Sequence, residues 1–265
     1  MEGSTGVRFC AVVLLVVLAG CSGAFGDGVE RENYGVETPI EPEQSVETDV
    51  PGLTTEGVTD WTALWFAHVE YVGGSAYELT RETTYVDSNG SVLYNETVRV
   101  TVASDGTERI VQRIETPVHH NESNGNETTR MDQRTREQWR TDERTVVRET
   151  ISNESTVHTD RLLTETGTQL PVNPNTLFPA VDDVQTVTTD GSTQYLLTGS
   201  GTLLSYQEAT FWVLIAEEGY IQAFHLEGTT THDGEQVTVT VTSTVEGVGE
   251  PIDLEAPEWV ESSGD

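Results

Sequence analysis

Histidines and a large excess of carboxylates are the groups in this 265-residue chain best able to do chemistry. His119 and His120 are followed by Glu122 and Glu127, and His225 and His232 stand near Asp233 and Glu235, residue types that can hold a divalent metal. Adjacent histidines on an extended segment point to opposite faces, so His119 and His120 do not readily share one ion. The chain contains no H-E-x-x-H and no calcium-loop spacing, and no metal site is expected. Gly199-Ser200-Gly201 lacks the flanking pattern of a nucleophile elbow and reads as a hairpin linker. Acid pairs such as Asp182-Asp183 and Glu217-Glu218 have the groups for acid–base work, but in so acidic a chain they are ordinary surface. No catalytic residue and no cofactor is expected, and the chain reads as a non-enzyme.

Asp and Glu number 45 against 13 basic residues, a formal charge of −32, and all 13 basic residues are arginine. Without lysine there can be no P-loop lysine, Schiff base or Ser-Lys dyad. A sequence-independent grip on nucleic acid is also excluded, because it depends on many cations displacing phosphate counterions. The 35% hydrophobic content alternates too regularly for a disordered chain. Concentrated salt, where the Debye length is ~3 Å at 1 M, would relieve the repulsion among so many carboxylates.

The N-terminus carries Arg8, an apolar run from Phe9 to Leu18, and then Ala19-Gly20-Cys21. The run is shorter than the ~20 apolar residues of a spanning helix and has the length of a signal-peptide core. Small residues directly before a cysteine resemble the lipobox of bacterial and archaeal lipoproteins. That resemblance implies a signal peptide over 1–20, cleavage before Cys21 and a lipid on its sulfur. Cys10 would leave with the signal, so no internal disulfide is expected. Residues 21–56 read as the lipidated cysteine and an acidic flexible tether, a coil spanning roughly 30 Å.

A half-barrel domain is expected over 57–260, followed by a short tail at 261–265. Thr59-Asp60 resembles a helix cap, and Trp61, Leu64, Trp65, His68, Val69 and Val72 then recur at the spacing of one helical face, ended by Gly73-Gly74. Phe66 and Tyr71 lie off that stripe, which predicts a helix buried on more than one side. Beyond it the period becomes two: Tyr77, Leu79, Arg81, Thr83 and Tyr85 form one alternating set, Val98, Val100 and Val102 another, and Val237, Val239, Val241, Ser243 and Val245 a third. Further strands are expected around 108–115, 135–141, 145–151, 195–198, 211–217 and 220–227. Asn89-Gly90, Asp105-Gly106, Asp190-Gly191 and Asp233-Gly234 are hairpin turns by type. The proline-bearing stretch 170–184 reads as a short helix or lid over the sheet. The expected fold class is α+β, a strongly curved antiparallel sheet (half-barrel) wrapped around an N-terminal amphipathic helix.

The order of lipobox, acidic tether, the segment GVTDWTALWFAHVEYVGGSAYELTRETTYVDSNG and the closing VTVTVTSTVEGVGEPIDLEAPEW resembles haloarchaeal lipoproteins of unassigned function. Their fold is similar to the half-barrel of bacterial lipoprotein carriers and of mycobacterial lipid-binding lipoproteins. The resemblance covers 57–259 and implies an extracytoplasmic protein, held to the outer face of the cell membrane by membrane lipid through Cys21, with a cleft for a lipid or other hydrophobic ligand. Trp61, Trp65, Phe66, Phe178, Phe211, Trp212 and Phe224 are the candidate lining residues. The alternative is that they fill the core of a structural or protein-interaction module of the envelope, whose protein partner the sequence does not identify.

Two further features bear on partners. Arg130, Arg134, Arg136, Arg140, Arg144, Arg148 and Arg161 gather seven of the 13 arginines. They could meet lipid phosphate or an acidic partner, or simply pair across strands with the interleaved Asp132, Glu137, Asp142, Glu143 and Glu149. Asn89, Asn95, Asn121, Asn126 and Asn153 each begin an N-x-[ST] triplet, the acceptor pattern for N-glycosylation.

Overall fold

The computed structural model describes residues 48–121, 127–160, 170–189 and 191–262. Cys21, the signal segment, most of the tether, Asn126 and Arg161 lie outside the described residues. Two short strands, β1 (Leu53–Thr54) and β2 (Gly57–Val58), pair antiparallel ahead of helix α1 (Trp61–Gly73). Asp60 caps the helix as its type predicts: its extended backbone frees the carboxylate to accept from the N–H groups of Thr62 at 3.0 Å and Ala63 at 3.1 Å. Val50 and Leu53, inside the stretch read as tether, are buried core residues.

Six strands follow: β3 (Tyr77–Val86), β4 (Val92–Val102), β5 (Glu108–Asn121), β6 (Glu127–Arg140), β7 (Thr145–Ile151) and β8 (Glu154–Asp160). A single helical turn α2 (Pro174–Leu177) runs through a 3-10 turn (Phe178–Ala180) into β9 (Val181–Thr189), β10 (Ser192–Leu203), β11 (Tyr206–Ala216), β12 (Ile221–His232) and β13 (Glu235–Glu246). The last element is α3 (Glu258–Glu261). These 11 strands form one antiparallel sheet in the order β8-β7-β6-β5-β4-β3-β13-β12-β11-β10-β9. Two meandering arms, β3 to β8 and β9 to β13, are joined by the β13–β3 pairing from Thr238↔Val86 to Glu246↔Glu78. The sheet curves without closing and keeps β8 and β9 as its edges. This is an α+β half-barrel. No helix among the described residues is long and apolar enough to cross a membrane.

Glycines 90, 106, 191 and 234 all have positive φ at hairpin connections, where a Cβ would be strained. The helix packs on one side only. Leu64, His68 and Val72, four residues apart, are buried, whereas Phe66 is 63% exposed and Tyr71 stacks on Tyr220. The expectation of burial on several sides is therefore corrected: the sheet passes beneath one stripe of α1. Leu64 joins the core over β9 to β13, and Val72 joins a second cluster with Tyr77, Leu79, Val98, Val100, Ile110 and Val245.

Gly199-Ser200-Gly201 is not a hairpin linker but lies inside β10, opposite Phe211, Thr210 and Ala209. A Cβ on Gly199 would come within 2.1 Å of the Ala180 carbonyl and 2.4 Å of the Phe211 ring, so close strand approach requires the glycine. The hairpin turn comes later, at Leu204, in the left-handed region with φ 53°. The stretch 170–184 is a helical turn only as far as Ala180, beyond which it is strand.

Candidate functional site

One row of paired residues crosses the inner face of the whole sheet: Val184, Leu197, Val213, Phe224, Ser243, Arg81, Val98, Gln112, Arg136, Glu149 and Thr156. From β9 to β12 it is apolar and buried. From β5 to β8 it is polar. The change falls at Ser243 and Arg81, beside the edge of the helix-covered core.

The seven lining candidates separate along this geometry. Phe178, Phe211 and Phe224 lie together in the core at 3% exposure or less, with Trp61 and Trp65 packed half-buried against them. Phe66 faces solvent on the far side of α1. Trp212 points to the outer face, because its neighbours Phe211 and Val213 point inward, and its ring stacks on His225 with centroids 5.7 Å apart. The aromatic residues brought together thus fill space under the helix. A cavity beside His68, Leu79, Leu170, Phe224 and Val245 holds only about 10 Å³, room for one water.

His68 holds the helix to the sheet. The β11–β12 register slips at Leu214/Ile215, and the buried Nδ1 of His68 accepts the Ile221 N–H at 3.2 Å. An accepting Nδ1 fixes the neutral tautomer with its proton on Nε2. The other described histidine side chains do not gather: His225 is on the outer face, His232 on the inner face against Tyr85 and Tyr94, and His158 on edge strand β8. No cluster able to hold a metal ion occurs among the described residues. Ser200 donates to Asp182 at 3.0 Å and has no histidine beside it among its described partners.

Four arginines of the stripe, Arg134, Arg136, Arg140 and Arg148, sit in cross-strand pairs, and Arg144 donates to the Val260 carbonyl at 3.5 Å. On the inner face Glu149 receives Arg134 at 3.3 Å and Arg136 at 3.8 Å, and Glu108 receives Arg140 at 3.2 Å. On the outer face Glu137 receives both Arg148 and Arg109, and the Arg148 guanidinium lies 5.1 Å over the Trp259 ring. The C-terminal segment reaches this point by pairing Ser104 with Ile252 and then burying Trp259 and Val260 against Trp139 and Val146. Near the β7–β8 tip, Glu149, Ile151, Ser152, Glu154 and Thr156 wall an open depression of about 480 Å³.

The glycosylation candidates are also unlike one another. Asn89 and Asn153 are exposed at hairpin turns, Asn153 with φ 74°. Asn95 sits within β4, half-buried, its side-chain oxygen accepting from Thr84 at 3.2 Å. Asn121 ends β5, and its side chain lies outside the described set.

The group that sequence reasoning missed lies on the same face, four residues along β3 from Arg81. Tyr85 and Tyr94 are directly paired with rings 5.1 Å apart, and His232 packs edge-on against Tyr85 at 5.2 Å. Tyr206 packs on the same core edge as Tyr85. Burial and then the nearby Glu96 push the Tyr94 hydroxyl up to about 12, and burial raises Tyr85 and Tyr206. Arg81 opposes the shift at both Tyr94 and Tyr206. The sequence signal was available: an arginine stands in the otherwise inward-facing set Tyr77, Leu79, Thr83 and Tyr85.

Known structures of similar chain path are bacterial proteins. LprF from Mycobacterium bovis matches at a TM-score of 0.34 and 10% identity, over 74% of this chain and 96% of that one. A LolA superfamily protein from Nitrosomonas europaea matches at 0.25 and 7%, over 73% and 94%. A DUF1329 family protein from Desulfovibrio piger matches at 0.20 and 11%, over 73% and 94%. No family model and no curated protein matches the chain. At these scores the likenesses add nothing to the fold, which stands on its own strand order and register.

Proposed function

We propose that this chain is a non-enzymatic, extracytoplasmic lipoprotein, anchored on the outer face of the cell membrane through lipid on Cys21, whose half-barrel binds a lipid or other hydrophobic molecule. The observation that carries this reading is the inner face itself. The helix seals only its apolar half, and a half-exposed rim of Tyr85, Tyr94, Tyr206 and Trp61 borders the sealed core. Such a border offers an amphiphile both aromatic surface and polar groups. Organic extraction of the purified protein followed by mass spectrometry tests it: a stoichiometric apolar molecule is expected, and a clean blank overturns ligand binding. Cys21→Ser should release the protein from membranes, and unchanged partitioning would remove the anchor.

A second reading is favoured by the packing of Phe178, Phe211 and Phe224, which leaves little room under α1. On that reading the chain is a filled interaction module of the envelope. Cross-linking on intact cells that captures one protein stoichiometrically, together with a blank extract, would select it.

A further inference from the structure

We infer that Asn153, at the tip of the β7–β8 hairpin, is an acceptor for an N-linked glycan whose donor is a sugar carried on a membrane lipid phosphate. The proposal goes beyond ligand binding and rests only on the extracytoplasmic part of the reading above. Ile151 and Glu154 are the last paired residues of β7 and β8, so Ser152-Asn153 is a two-residue loop. Both loop residues have positive φ, 49° and 74°, as a type I′ turn requires and asparagine tolerates. All three residues of the acceptor triplet, Asn153, Glu154 and Ser155, are exposed. The Asn153 side chain has no hydrogen bond among the described residues. Its chain neighbours Ser152 and Glu154, with Glu149, Ile151 and Thr156, wall the open depression of about 480 Å³. An attached sugar therefore has space beside the tip, with hydroxyl and carboxylate groups to meet its own hydroxyls.

The motif alone does not single out this site, and the geometry does. Asn95-Glu96-Thr97 lies inside β4, where Asn95 pairs with Thr84 of β3 on one side and Glu115 of β5 on the other. Its three residues are half-buried, and the Asn95 side-chain oxygen accepts from Thr84 at 3.2 Å. No transferase can seat that triplet without pulling β4 out of the sheet. Asn89-Gly90-Ser91 is exposed, but its loop is tied to Asp87. The Asp87 carboxylate accepts the Asn89 and Ser91 N–H groups at 2.8 Å each, and its carbonyl accepts the Gly90 N–H at 3.0 Å. Of these three triplets, the one at Asn153 joins full exposure, an amide without a bond and adjoining open space. In the transfer, the Asn153 Nδ2 forms a bond to the anomeric carbon of the sugar. The bond from that carbon to the lipid phosphate breaks, the phosphate leaves with the electron pair, and the amide proton passes to a base of the transferase.

Mass spectrometry of the full chain purified from the membranes of its native cells tests this. Cleavage after arginine gives the peptide Glu149–Arg161, in which Asn153 begins the only acceptor triplet, and the peptide Glu82–Arg99, which holds Asn89 and Asn95. Glu149–Arg161 is expected chiefly at a mass raised by whole sugar units, with fragmentation placing them on Asn153, and Asn95 is expected bare. Asn153→Gln should lower the intact mass by that whole glycan. Should Asn153→Gln fail to accumulate, because its turn strains glutamine, Ser155→Ala keeps the turn residues, removes the acceptor hydroxyl and should lose the same mass. A glycan that survives Ser155→Ala, or one on Asn95 with Asn153 bare, overturns the proposal. So does a bare Glu149–Arg161 in protein that carries lipid on Cys21, and the anchored reading then stands. Bare Asn153 in protein that keeps residues 1–20 and has no lipid overturns both.

Discussion

The two arms of the sheet share one backbone pattern and fill their inner faces by different means. In the β9–β13 arm the inward positions are Val184, Leu197, Val213 and Phe224, and they are buried under α1 and the turn at Phe178. In β5–β8 the same row continues as Gln112, Arg136, Glu149 and Thr156, and this arm is tied by arginines shared two to a carboxylate, at Glu149 on the inner face and at Glu137 on the outer face behind it. Alternation with period two sets which residues face inward, but what they meet is set by how far one helix reaches. Arginine suits the second arm because its planar fork can reach a carboxylate across a strand while its stem covers apolar surface.

The largest expected effect breaks the first arm. Phe224→Ala removes a ring that is 1% exposed in the buried stretch of the row, and should cost ~3–5 kcal/mol in urea unfolding. That loss should be the same at low and high salt, because it is a packing loss. A cost below ~1 kcal/mol would mean that the arm collapses around the vacancy and is less tightly filled than it looks.

Glu137→Ala should cost less and behave differently. It leaves Arg109 and Arg148 without their shared carboxylate, whose side chain is only 11% exposed, while both arginines are partly solvated. The expected loss is about 2 kcal/mol at low salt, between the values for exposed and buried pairs. It should shrink as salt rises and the Debye length falls from ~10 Å at 0.1 M to ~3 Å at 1 M. Equal salt response for Phe224→Ala and Glu137→Ala would erase the proposed distinction between the arms.

Sequence reading reached the two arms alike and missed one strand in each. The cap at Asp60, the stripe through Leu64, His68 and Val72, and the glycine turns were legible because each depends on local chemistry within a few residues. Strand β8 was missed because ESTVHTD is exposed along its described length and shows no alternation. Strand β9 was missed because prolines 171, 174 and 179 mark irregular chain right up to its first residue. The lining candidates were chosen by residue type, yet Trp212 and Phe211 are neighbours on opposite faces, and only register separates them. Arg81 was visible as the one charge in an inward set.

The smallest predicted effect sets the arms apart by pH. His225 of β12 is held below 6.5 mainly by burial, with Glu227 acting against the shift. The unfolded chain therefore takes up this proton first, and stability should decline as pH falls from 6.5 to the folded value and then level off. The β3–β5 hairpins respond later and for the opposite reason. Asp87 and Asp105 are held below 3.8 by N–H donors, from Ser91 and Asn89 for Asp87 and from Thr107 for Asp105. Their contribution is complete above 3.8 and is lost only as pH drops through their lower folded values. Fluorescence should separate the two events, because Trp212 stacks on His225: quenching with a midpoint below 6.5 is expected, and His225→Gln should abolish it without altering the acid limb. A midpoint at or above 6.5 would mean that Glu227 outweighs burial at this site, and the outer face of the apolar arm would then be governed by charge as the other arm is.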